Sequence, residues 1–133
     1  MALRDRARRT EIAPEVVERF VHVCAQGALD AELVVLASKS GGAHACYPPD
    51  ERARANEVAA LLARLLRANS GPSQAALGQV IQVVGDQIQV FQACRAVSGC
   101  WIVAIYGTNG TNLGLALSQV NRANKTFTLT DES

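Results

Sequence analysis

The stretch most suggestive of chemistry is Gly107-Thr-Asn-Gly110-Thr-Asn-Leu-Gly114, a glycine-rich turn between an apolar strand and a helix. Such turns can hold phosphate on backbone N–H groups at a helix N-terminus. A P-loop carries Lys and then Ser or Thr directly after its last glycine. A dinucleotide fingerprint carries G-x-G-x-x-G early in a βαβ unit, with an acid about 20 residues on. Neither spelling occurs, and the helix that follows ends the fold. Turn and cap chemistry is the expectation here.

The other reactive side chains are scattered. Cys24, Cys46, Cys94 and Cys100 contain no C-x-x-C pair, and their spacing matches no zinc site. His22 and His44 create H-x-C twice, but residues i and i+2 of a helix point to different faces, so His22 and Cys24 do not chelate together. Packed thiols in a reducing compartment are expected. Cys94 and Cys100 flank a five-residue hairpin loop, a spacing that permits a strained bridge. Neither histidine is followed by a Ser or Cys elbow, and Asp86 is the one acid in the strand-rich region. No catalytic residue, metal ligand or cofactor site is expected. Aromatics make up 5% of the chain, without Phe/Tyr pairs interleaved with basic residues, which argues against a base-stacking nucleic-acid platform.

The elements that would position these residues belong to one domain. The 133 residues are 49% hydrophobic and 19% charged, enough for a single core, and no apolar run approaches the roughly 18 residues of a membrane span. The net charge of +1 is uneven. Arg4, Arg6, Arg8 and Arg9 against Asp5 make residues 1–10 a basic arm, read as flexible and solvated, although an Arg-rich start is also compatible with a transit or membrane-surface segment. With no secretory h-region or lipidation box, a cytoplasmic location is expected.

Along the body, residues 11–26 read as a helix with Pro14 in its first turn and Gly27 as its stop. Residues 32–38 (ELVVLAS) and 43–47 (AHACY) read as a strand pair about Ser40-Gly41-Gly42. Asp50 caps a second helix to about Ala68, with Val58, Leu61, Leu62, Leu65 and Leu66 as its stripe and alanines beside them. That composition suits packing against a sheet on one side and a second helix on the other. After the Asn69–Ser73 loop come three strands turning at Gly85-Asp86 and at residues 96–99. A closing helix follows, capped by Thr111 or Asn112, with Leu113, Ala116, Leu117 and Val120 on one face. Residues 125–133 (KTFTLTDES) read as an irregular C-terminal tail, with Phe127 and Leu129 able to pin back onto the body.

Between Arg67 and Arg122 the only charged residues are Asp86 and Arg95. A sheet with one wet face normally carries charge at alternate positions. Here those positions hold Gln79, Gln82, Gln87, Gln89 and Gln92. The expectation is an α+β fold: one five-stranded, mostly antiparallel sheet, order α-β-β-α-β-β-β-α, with helices on both faces and a partner surface beyond.

With ELVVLASKSGG as its first hairpin, LGQVIQVVGDQIQVFQACRAVSGCWIVAIYG as its meander and TNLGLALSQVNRAN as its closing helix, the chain resembles the Roadblock/dynein light-chain family over about residues 12–124. Profilin-like and longin-like domains share related architectures. The resemblance implies a Roadblock-like domain over residues 11–124 that dimerises with itself or a paralogous chain. Val58, Leu61, Leu62 and Leu65 would lie near a pair of helices, and Val80, Gln82 and Val84 at a junction of two sheets. It further implies a non-catalytic scaffold or regulator of a small Ras-like GTPase, as an activating partner or a Ragulator-type platform, with no cofactor and no nucleic acid. A dynein light chain binding an intermediate chain is the alternative, and a ligand sensor or enzyme using Gly107–Gly114 the third reading.

Overall fold

The computed structural model describes residues 12–26, 30–68, 78–95, 97–107 and 112–132. The basic arm, the Gly27 stop, the Asn69–Ser73 loop, residue 96, Thr111 and the middle of the Gly107–Gly114 turn lie outside them. Helix α1 spans Pro14–Gln26. It starts at the proline rather than at residue 11, because the residue before a proline is pushed out of the helical region and proline's missing N–H is no loss in the first turn. Strands β1 (Leu33–Ser38) and β2 (Ala43–Tyr47) form the expected hairpin. Helix α2 spans Arg52–Ala68, and its first backbone bond runs from Ala55 N–H to the Glu51 carbonyl at 2.9 Å. Its capping position is therefore Glu51, one residue beyond Asp50.

Strands β3 (Gln79–Val84), β4 (Gln87–Ala93) and β5 (Cys100–Gly107) complete an antiparallel sheet of order β2-β1-β5-β4-β3. Val84 pairs with Gln87, so Gly85-Asp86 is a two-residue turn, and Gly85 takes the left-handed φ of +59° that such a turn requires. β5 lies at the centre and is buried on both faces. Ile102, Ala104 and Tyr106 face a core shared with α1 and the last helix, while Trp101, Val103 and Ile105 face the core beneath α2.

That last helix, α3, runs Leu113–Glu132. Asn112 caps it, with Oδ1 accepting from Leu115 N–H at 2.8 Å and the carbonyl from Ala116 N–H at 3.1 Å. Two expectations change here. The buried stripe is Ala116, Val120, Ala123 and Phe127, with Leu113 exposed and Leu117 half-buried, and residues 125–132 are helical rather than irregular. The Thr residues of KTFTLTDE are poor helix formers, but the stripe carries Phe127 into the core against Phe20. The two rings meet edge-to-face at 5.8 Å, and tertiary packing outweighs propensity. Asn124, also buried, accepts from Arg95 N–H through Oδ1 and donates from Nδ2 to the Ala93 carbonyl, each at 3.1 Å, tying α3 to the end of β4.

Tyr106 is fully buried, and its hydroxyl has no hydrogen-bond partner among the described residues. Burial, with Asp30 and Cys24 nearby, drives its pKa above the usual tyrosine value. An unsatisfied buried hydroxyl costs about 1–3 kcal/mol. Tyr106→Phe is therefore expected to leave stability unchanged or raise it by about 1 kcal/mol, read from urea unfolding midpoints. A loss of stability would mean that the hydroxyl is satisfied.

Candidate interaction surface on the third strand

Helix α2 packs on β1 and β2, and α3 on β4 and β5. Among the described residues, the edge strand β3 makes its main contacts with β4. Both cores reach β1, β4 and β5, while among the described residues β3 contributes only half-buried side chains to their margin. Val80, Gln82 and Val84 of β3 pair with Phe91, Gln89 and Gln87 and share the α2 side of the sheet, while Gln79, Ile81 and Val83 take the α3 side. Val83 and Val84 are 62% and 51% exposed.

The glutamines of this region bond to one another. Gln82 Nε2 donates to Gln89 Oε1 at 2.6 Å, Gln89 Nε2 to Gln87 Oε1 at 3.4 Å, and Gln79 Nε2 to Gln92 Oε1 on the other face at 3.3 Å. Their amides are thereby drawn across the strands, leaving an edge that carries no charge between Gln79 and Val84. Monomeric proteins normally charge, bulge or cover such an edge.

On α2 the structure divides the expected set. Val58 and Leu62 are buried against the chain's own sheet, so they have no surface to give a partner and leave the proposed interface. Leu61 and Leu65, half-buried, lie like Val80 and Ala93 at the margin of the same core. The outward face of α2 holds Ala53, Asn56, Glu57, Ala60 and Arg64. The helical stripe was legible in the sequence. Its inward and outward halves were not, because the small alanines fit either side.

The chemistry-bearing residues do not converge. On α1, His22 is exposed while Cys24 is buried, its thiol pushed up to about 12. Cys94 N–H donates to the Cys100 carbonyl at 2.9 Å across the β4–β5 hairpin, and both side chains enter the same core. The Cys100 thiol is raised to about 11 by burial and by the neighbouring Cys94, which suppresses its thiolate near neutral pH. Among the described residues no three His, Cys, Asp or Glu side chains cluster. The Asn112 side chain already occupies one N–H at the start of α3, the end where a phosphate would sit.

Arg52 was not singled out from sequence. At the first position of α2, its Nη2 donates to the Ala43 carbonyl at 2.8 Å and its Nη1 to the His44 carbonyl at 3.4 Å. No local pattern announces a contact made eight and nine residues back across a turn.

His44 lines a cleft of about 470 Å³ with Ile12, Val17, Ser38 and Arg52, and burial, then Arg52, lowers its pKa below the ordinary 6.5. A histidine with a depressed folded pKa binds fewer protons folded than unfolded, so stability falls as pH drops below about 6.5. His44→Asn is expected to flatten the melting-temperature profile between about pH 7.5 and 5.5. An unchanged slope would place the pH sensitivity elsewhere.

No protein-family model and no curated protein matches this sequence. Solved structures do. The chain is similar to Myxococcus xanthus MglB at 19% identity, covering 91% of this chain and 93% of that one with a TM-score of 0.74. It is similar to the gliding protein MglB of Thermus thermophilus at 16% identity, with coverages of 92% and 96% and a TM-score of 0.72. A Roadblock/LC7 domain from Streptomyces avermitilis aligns at 13% identity over 91% and 98% of the two chains, with a TM-score of 0.64. The fold is therefore the Roadblock fold, as the hairpin, meander and closing helix imply.

Proposed function

We propose that the chain is a non-catalytic regulator or scaffold for a small Ras-like GTPase, working as a dimer of two copies joined along β3. The observation that carries the pairing is the uncharged β3 edge, with no strand beyond it among the described residues and with Val83 and Val84 in solvent. Leu61 and Leu65 of α2 and Val80, Gln82 and Val84 of β3 form the proposed contact surface. Two sheets joined there and flanked by their α2 helices would bury an area in the usual range for stable association, about 1,600 Å². The GTPase partner follows from the Roadblock resemblance, which implies activating partners in bacterial polarity and motility. Likeness to a gliding protein of Thermus thermophilus supports that branch over the dynein alternative.

The test is capture of a Ras-like GTPase from the same source, loaded with a non-hydrolysable GTP analogue or with GDP. Preferential retention of the GTP form, lost on disruption of the dimer, is the expected result. Equal failure of both nucleotide forms at micromolar concentration would overturn the GTPase assignment.

A further inference from the structure

A five-stranded sheet has two edges, and here they differ. β3 has no strand beyond it among the described residues, whereas β2, at the far side, is the strand whose Ala43 and His44 carbonyls are taken by Arg52. Carbonyls of successive strand residues ordinarily point to opposite sides. The register shift between Leu36 and Ala37, opposite these residues, turns both toward one guanidinium. A bulge and a bound cation at an edge are each devices that stop strand addition. The planar fork of an arginine, unlike a point charge, can serve two acceptors at once.

We infer that Arg52 seals the β2 edge, so that a second copy of this chain can add to the sheet at β3 alone. This rests on the pairing proposed above and determines where that pairing stops. A chain with two open edges, each pairing with its own kind, alternates two different two-fold contacts and has no point of closure. With β2 sealed, the joined sheet ends at a β2 strand on either side and the assembly is finite.

The test is Arg52→Ala in the full chain, followed by sedimentation and light scattering across a concentration series, with circular dichroism confirming the fold. The expected result is a mass that exceeds the wild type's at least about twofold and climbs with concentration. Arg52→Ala combined with Tyr47→Lys should return to the wild-type mass, because a lysine at this exposed position of β2 supplies a substitute block. A folded Arg52→Ala chain with the wild-type mass at every concentration overturns the inference and leaves the β3 pairing intact. A wild-type chain that is monomeric overturns the β3 pairing instead, and growth of Arg52→Ala from that monomer would still support the seal. If Arg52→Ala does not fold, Arg52→Met, which keeps the aliphatic stem but removes both the charge and the N–H donors, replaces it and carries the same two readings.

Discussion

Truncating Phe127 to alanine is expected to lower the free energy of unfolding by about 3–5 kcal/mol, the range for removing a buried aromatic ring. The ring is 1% exposed and stacks edge-to-face on Phe20, so the variant loses both the transfer of the ring and the contact that fastens the end of α3 to α1. Chemical denaturation with a matched Lys125→Ala control, which alters an exposed position on the same helix, separates packing from helix propensity. The control should fall within about 0.5 kcal/mol of wild type. A Phe127→Ala loss below about 1 kcal/mol would place residues 125–132 outside the cooperative unit.

Val84→Lys is expected to convert the protein from twice the 14.1 kDa chain mass to the chain mass itself. Val84 is half-exposed in the single chain, so the substitution costs the monomer little, and the melting temperature of the separated chain should match other surface variants. In the paired state two lysines would enter an apolar, uncharged junction. Burying an unpaired charge costs about 3–5 kcal/mol, which weakens association at least a hundredfold. Val84→Thr, which keeps the shape and adds no charge, should remain paired. If both variants and the wild type share one mass, β3 is not the contact.

The sequence carried the order of elements because each local signal agreed with the global fold. Pro14 opens α1, Gly85-Asp86 turns β3 into β4, and alternate residues of β5 divide between two cores. The candidate surface was legible in outline from the missing charges, since a run of glutamines on β3 and β4 is what an edge intended for pairing can tolerate.

Three features were not legible, each for a physical reason. Val58 and Leu62 belong to the same stripe as Leu61 and Leu65, and periodicity alone does not say which leucines meet the chain's own sheet. Threonine-rich residues 125–132 read as a tail because propensity ignores Phe20, more than a hundred residues away. The bond from Arg52 to the β2 carbonyls depends on a bulge, which is set by pairing between strands rather than by any residue type.

Amide hydrogen exchange along β3 tests the proposed pairing most directly. With a second copy seated on the strand, the outward-facing N–H groups between Gln79 and Val84 should be protected to the level of those in β4, alongside a solution mass of twice 14.1 kDa. Exchange of the same groups as fast as the Gly85-Asp86 turn, with a mass that stays at 14.1 kDa as concentration rises, would contradict the account.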